Sequence, residues 1–506
     1  MQFTKTILLA GIVVLGYSPA HSESDDWAKV HTLTVRGIDE LYNLEMEKAD
    51  KTFDEVIAMA PNDPRGYFFK GMIYFWTYNL NKDRQAYDKF MELSDRVIVI
   101  CERLVDQNPH NALAKFYLGG TYGYRGLAFQ RNGSLLKAAW DGRKGYSYLK
   151  EAVSLDSTLY DAQMGFGLFS YLVAKVPRSF RWILNVLGFS GDLEGGLNSL
   201  RLAAERGLYT KSEASFFLAQ FLFVEERFDE AYSYMNGLLK KHPENTLFLV
   251  LHAQWEFRQE RLESAMESAR KAIAINERKK VKLGDEFAYN ILGSAHFALN
   301  EYEQAKKNFE SYLDRVENKS QVFNNTYYRL GLCYEMLGQR ERAVWAYRQM
   351  QNSDNQWNAH FYRRGQQRLK RPLDEIDRLL IRAENASSLR RYKEANELYE
   401  RATRFQNIDS ERLALALYGL IQVSYEQERF DDLQRYAQQL FALKVQEELW
   451  VVPHTHFRLG QAYAKRGLVA EARRQFEAID RYDKYDYQMR LESRVESELA
   501  KLGGVN

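Results

Sequence analysis

Of the 506 residues, 45% are apolar and 14% aromatic, enough for several cores or one long repeat array and too apolar for a disordered chain. The 70 basic and 68 acidic residues are interleaved and leave a net charge of +2, which excludes a binder of nucleic acid or anionic lipid driven by long-range charge. The two cysteines, Cys101 and Cys333, stand far apart with no CxxC or Cys/His spacing; this excludes a disulfide framework and a zinc module, and both are expected as buried free thiols.

In chain order, residues 1–22 read as a secretory signal peptide. Lys5 supplies the positive end and Ile7 to Leu15 the apolar stretch, broken by Gly16 and Pro19. Ala20 and Ser22 are small residues at the positions a signal peptidase reads, so cleavage is expected after Ser22. The apolar stretch is shorter than the roughly 20 residues a membrane span needs, although an uncleaved anchor is the alternative. No cysteine follows it, which excludes a lipoprotein anchor. The expected location is therefore extracytoplasmic, and so low a cysteine usage suits a bacterial periplasm. Beyond the leader the pattern divides into an irregular helical region (23–211), a regular helical array (212–352) and a C-terminal array (353–506).

Prolines mark the breaks between helical segments. Pro61, Pro64, Pro109, Pro177, Pro243, Pro372 and Pro453 are expected between apolar-periodic stretches, because an interior proline removes a backbone donor and clashes with the preceding turn. In the irregular region Ala49, Phe53 and Val56 fit the second helix of a hairpin. Leu118, Gly119 and Tyr122 fit a first helix, followed by a helix from about Ala138 to Leu155. Residues 169–189 form the most apolar segment after the leader. Pro177 divides it, and Arg178 and Arg181 flank Phe180 and Trp182. It reads either as an insertion packed on neighbouring helices or as a membrane or partner surface presented by Phe180, Arg181 and Trp182.

Self-similarity at a period of 34 residues then takes over. Leu218 and Ala219, followed by Phe228, Ala231 and Met235, set the pattern. It returns as Ala253 with Ala265, as Gly293 with Ala305 and Phe309, as Gly331 with Ala343 and Tyr347, and as Gly460 with Ala472 and Phe476. Weaker copies centre on Ala395 and Tyr399 and on Leu433 and Ala437. A small residue on the first helix of a hairpin lets the second approach, and the alanine of the second keeps them close. These residues resemble the tetratricopeptide repeat. The resemblance implies an all-α, right-handed α-solenoid of helix-turn-helix repeats, with insertions in the N-terminal half.

Residues 134–222 carry a second resemblance. Ala138, Ala139, Trp140 and Gly142, then Tyr160 and Asp161, then Gly165 to Phe169, and above all the run from Leu187 to Asp192 are similar to tetratricopeptide-repeat family thirty-nine, whose relatives include the fungal inclusion-body clearance proteins. It implies an all-helical repeat fold, an adaptor role and no catalytic residues. Those relatives are intracellular and lack an export signal.

The repeat resemblance also implies that the first helix of each hairpin lines an inner groove. There it would place Phe216, Gln220 and Phe223, then Gln254, Phe257 and Arg258, then Asn290, Ser294 and Phe297, then Tyr328. Phe223, Phe257 and Phe297 recur in equivalent places, and an aromatic row with interspersed amides suits an extended peptide or a partner helix. The Lys/Asn pattern by which some such repeats clamp a terminal carboxylate is absent. No P-loop, GxSxG or HExxH is present. His454 and His456 lack a carboxylate at helical spacing to complete a metal site, and Asp483 and Asp486 read as a solvated face. The expected function is a non-catalytic scaffold or adaptor for a protein or peptide, without cofactor or metal and with no nucleic-acid or small-molecule substrate inferred. The alternatives are a membrane-surface protein acting through 169–189 and a regulatory subunit or enzyme with an unrecognised site.

Overall fold

The computed structural model describes residues 20–176, 191–316, 319, 322–353 and 355–503. Among them are 24 α-helices, and no strand occurs. No helix among the described residues is long and apolar enough to cross a membrane. The chain forms two compact units, Met1–Phe248 and Leu249–Asn506.

In the first unit helices pack as consecutive hairpins. α1 (Ala20–Tyr42) pairs with α2 (Met46–Met59), and α3 (Pro64–Asn81) with α4 (Arg84–Gln107). α5 (Ala112–Arg131) pairs with α6 (Leu135–Leu155), α7 (Asp161–Ala174) with α8 (Leu193–Arg206), and α9 (Lys211–Val224) with α10 (Phe228–Lys241). The chain passes into the second unit within α11 (Thr246–Arg258), which is joined to α12 (Leu262–Lys279) of that unit by a His252 to Ser268 side-chain hydrogen bond of 3.0 Å.

The second unit continues with α13 (Asp285–Ala298) against α14 (Tyr302–Arg315) and α15 (Asn324–Met336) against α16 (Arg340–Arg348). A single helix, α17 (Gln356–Lys370), then packs on α15 and α16. Hairpins resume with α18 (Glu375–Ser388) and α19 (Tyr392–Thr403), α20 (Ser410–Glu426) and α21 (Phe430–Phe441), and α22 (Val451–Lys465) and α23 (Val469–Glu477). After a 3-10 turn at Ala478–Arg481, α24 (Gln488–Gly503) lies against α22 and α23.

Local chemistry sets the helix ends. Asp63 caps α3 by accepting from the Arg65 N–H at 2.9 Å, with Pro64 in the first turn. Asp374 and Asp377 cap α18 reciprocally. Pro453 lies inside α22, and so departs from the expectation that every proline falls between helices. It sits in the first turn, where its missing N–H would have no intrahelical partner. Tight turns place Glu226, Glu260, Asn300, Arg390 and Glu428 at φ 55–63°, the left-handed region that Gly338 and Gly467 occupy in the corresponding turns.

The recurring small residues lie where helices meet. Ala231, Ala265, Ala305, Ala343, Ala395 and Ala472 are fully buried. A methyl at Gly293 would stand 2.7 Å from the Phe309 ring, and one at Gly460 would stand 2.5 Å from Phe476. Gly331 faces Tyr347 in the same way, and Gly37 of α1 faces Phe53 of α2. The first hairpin therefore uses the packing device of the last one, and the helical array is a tetratricopeptide-repeat solenoid by its own contacts. Cys101 and Cys333 are free and buried, and burial pushes both thiols well above their usual range.

Within the second unit the array folds back on itself. The Asn385 side-chain amide of α18 donates to the Phe297 carbonyl and to Asn300 Oδ1, both at 2.9 Å, so α18 meets α13 directly. Arg390 pairs with Glu260 beside this contact. Asp486 corrects the reading of a solvated face: it is largely buried and holds His360 at 2.6 Å and the Arg363 guanidinium, both on α17. Burial, assisted by Arg364, lowers the His360 pKa to about 3, so the imidazole is neutral and the ring N–H donates to the carboxylate.

Candidate functional site

The fold-back of α18 onto α13 encloses two adjoining cavities in the second unit, of about 370 and 420 Å3. Phe257, Phe297, Phe361 and Tyr487 contribute to the first, and Tyr392, Tyr399, Tyr418 and Gln422 to the second. Tyr328, Arg364, Glu384 and Trp450 line both, so the two form one continuous depression. Its walls come from α11, α12, α13, α15, α17, α18, α19 and α20 and from the residues preceding α22 and α24. Aromatic faces dominate it, with amide and hydroxyl groups between them.

The aromatic residues hold one another in place. Trp450 stands edge-on to Tyr418 at 5.0 Å, and its indole N–H donates to Glu448 Oε2 at 2.7 Å. Tyr328 lies 5.6 Å from the Phe361 ring, and the Arg364 guanidinium sits 5.6 Å from the Tyr328 ring centre.

Two arginines of the cavity lack a direct ion pair among the described residues. Burial opposes the charge on Arg364, but Tyr328, Glu448, Glu384 and Tyr487 outweigh it and raise the pKa, so Arg364 stays cationic. Burial lowers the pKa of Arg329, which donates to Ser294 Oγ at 3.1 Å and lies 5.9 Å from the Phe297 ring centre. Neither arginine has a carboxylate within ion-pair distance among the described residues. Arg368 differs: it pairs with Asp377 at 2.8 Å, and Arg371 reaches the same carboxylate at 2.6 Å. Burial alone would raise the Asp377 pKa; the two arginines outweigh that and hold it well below the usual carboxylate range.

The groove residues expected from the repeat register separate into distinct environments. Phe257, Ser294, Phe297 and Tyr328 line the cavity. Asn290 donates to Thr326 Oγ1 at 3.2 Å, tying adjacent hairpins together. Gln254 and Arg258 are exposed and lie outside the cavity lining. The other three belong to the first unit. Phe223 is buried against Phe228 at 5.2 Å, inside its own hairpin. Phe216 is half-buried between Trp76, at 6.2 Å, and Phe248, at 5.5 Å, and Gln220 is half-buried. Phe180, Arg181 and Trp182 lie outside the described residues.

The repeat register does not single out Arg329, Arg364, Glu384, Tyr418 or Trp450. Arg364 sits on α17, which has no partner helix and breaks the 34-residue spacing. Trp450 precedes α22 in a connecting segment, where helical periodicity says nothing. The nearest signal was the paired Tyr327 and Tyr328 next to Arg329, a crowded stretch in an otherwise regular first helix. His456 bonds Gln475 at 2.8 Å, and no group of three or more His, Cys, Asp or Glu side chains placed to hold a metal ion occurs among the described residues.

Residues 155–372 match the family model described as Iml2/Tetratricopeptide repeat protein 39. The match begins later than the segment 134–222 that suggested it and extends through α17. No curated protein sequence matches the chain. Among solved structures, a tetratricopeptide repeat protein from Parabacteroides merdae is 14% identical, with 56% of this chain and 98% of that one aligned at a TM-score of 0.27. Yeast Tom70 is 14% identical over 88% of this chain and 97% of its own, at 0.31. Human IFIT1, in a dimer with m7Gppp-AAAA, is 16% identical over 83% and 95%, at 0.37. Superposition on these structures is loose, and the repeat assignment rests on the glycine and alanine contacts within this chain.

Proposed function

We propose that this chain is an exported, non-catalytic scaffold that holds an extended segment of a partner protein in the aromatic depression of its second unit. The observation that carries this reading is the continuity of the two cavities through Tyr328, Arg364 and Trp450. A peptide gains contact area from rigid aromatic faces, and its backbone needs amide and hydroxyl partners such as Gln422 and Ser388. Export rests on the N-terminal pattern of Lys5, the Ile7–Leu15 stretch and the small residues at 20 and 22. The scaffold role rests on the repeat fold, which presents surface rather than a reacting group.

The test is cross-linked capture from the extracytoplasmic fraction, followed by titration of the purified partner. Phe257→Ala and Trp450→Ala are expected to weaken binding by at least about tenfold. Phe216→Ala, in the first unit, should leave it unchanged, with circular dichroism showing all three folded. Equal binding by all three variants would rule out the depression as the functional surface.

A further inference from the structure

Beyond the lining of the depression, ring contacts continue from Trp450 onto α22. The Trp450 indole lies 5.5 Å from the His454 ring, and Tyr418 lies 6.4 Å from it, so the aromatic wall leads onto the outer turns of α22. One turn on is Arg458, and facing it from α24 are Arg490 and Arg494. The Arg458 guanidinium lies 4.7 Å from the Tyr425 ring centre and donates to Gln461 Oε1 at 3.1 Å. Arg494 lies 4.5 Å from the Phe457 ring centre. A guanidinium stacked on a ring keeps its N–H edge free to bind an oxyanion side-on.

None of these three arginines has a carboxylate within ion-pair distance among the described residues. The nearest acid acting on Arg494, Glu498, is engaged with Gln461 at 3.2 Å and Lys501 at 3.3 Å. The mutual repulsion shows in their surroundings. Burial, then Arg458 and Arg490, lowers the Arg494 pKa, and burial together with the three arginines lowers that of His454 to about 3. His454 Nε2 is buried with no hydrogen-bond partner. Of the carboxylates that line the depression, Glu260 and Asp377 are paired with arginines, and Glu384 and Glu426 have no ion-pair partner among the described residues.

We propose that the segment held here is an acidic peptide, its carboxylates seated against Arg458, Arg490 and Arg494 and its intervening side chains against Trp450, Tyr418 and Tyr328. This rests on the scaffold reading above and adds the chemistry of the partner. Carboxylates relieve the arginine repulsion through bidentate contacts, and the aromatic wall with Gln422 suits a peptide backbone. A nucleic acid fits less well: it needs a long basic track, and the balanced remainder of the chain offers none.

The test is fluorescence anisotropy on the full chain with labelled synthetic peptides of Tyr-Glu-Gly, Tyr-Gln-Gly and Tyr-Lys-Gly repeats, beside oligouridylate. The acidic peptide is expected to bind at least about tenfold more tightly than the neutral one and to weaken as salt rises. The double variant Arg458→Gln with Arg494→Gln should abolish that preference, and Arg494→Lys should keep part of it. These arginines are exposed or half-exposed, so the variants should fold as the parent does. Equal binding of acidic and neutral peptides, both lost in Trp450→Ala, would overturn the charge inference and leave the scaffold reading standing. A preference that survives the double variant overturns the assignment of the arginines. Tighter, arginine-dependent binding of oligouridylate overturns the peptide in favour of a nucleic acid. Failure of every probe overturns the inference, and the scaffold reading then stands or falls on the captured partner alone.

Discussion

The two units use the same residue, glycine, for different ends. In the second unit Gly293, Gly331 and Gly460 each face an aromatic ring from the partner helix of the same hairpin. In the middle of the first unit glycines face backbone instead. A methyl at Gly145 would lie 2.9 Å from the Gly119 carbonyl and the Gly123 amide, and one at Gly167 would lie 2.6 Å from the Gly196 carbonyl. Helices α5 and α6 therefore approach main chain to main chain, and α7 and α8 do the same. A ring can tilt to admit a methyl, whereas a backbone can yield only by moving a helix. The first hairpin keeps the ring, with Gly37 facing Phe53, whereas the α5/α6 and α7/α8 hairpins have given it up and kept the closeness.

Buried carboxylates show the same divergence. Asp377 in the second unit is ionised between Arg368 and Arg371. Glu213 in the first unit is buried near Tyr42 and Tyr124, and burial raises its pKa to about 7, with the Tyr124 hydroxyl acting the other way.

The sharpest way to break this comparison is Asp377→Asn, which leaves Arg368 buried without its counter-charge. It is expected to destabilise the second unit by about 3 kcal/mol or more, read by denaturant unfolding with hydrogen exchange to assign the unit. Because the folded pKa of Asp377 is depressed, its contribution is present above the ordinary aspartate pKa and is lost as the pH falls below it. The parent should therefore lose its advantage over Asp377→Asn on acidification.

Next in size is a pair. Gly145→Ala is expected to cost the first unit about 2–3 kcal/mol. Gly293→Ala should cost the second about 1 kcal/mol, since ring movement and better helix propensity offset the clash. Equal losses would mean that ring and backbone contacts are equally unyielding.

Glu213→Gln is expected to have the opposite sign. With a raised folded pKa, Glu213 favours the folded state below its ordinary pKa, and this is lost as the pH rises through about 7. The amide cannot ionise, so the variant should gain roughly 1–2 kcal/mol over the parent at pH 8 and little at pH 5, measured as a difference in Tm. The smallest effect is expected at the turn after α9. Glu226 holds φ 61°, and Glu226→Gly should add roughly 0.5–1 kcal/mol by removing side-chain strain.

Much of this was legible because it is local. The alternation of small and large residues required by a helical hairpin is written within one repeat, and Ala305, Phe309, Ala343, Tyr347, Ala472 and Phe476 all lie at the expected contacts. The cavity was legible only in part. Phe223 and Phe257 occupy equivalent places in their repeats, yet one packs on Phe228 inside its hairpin and the other lines the depression. Asp486 looked solvated because its neighbours Asp483 and Lys484 are, but α17 delivers His360 and Arg363 to it from 126 residues away for the histidine.

The sequence by itself determined helices, hairpins and their close packing, since each depends on residues within a few turns of one another. Tertiary structure alone decided which inner residues face a common depression, because that depends on how the small rotations between successive hairpins accumulate. Only after several of them does Asn385 meet Phe297, 88 residues back, and close the wall that gathers Tyr328, Arg364 and Trp450.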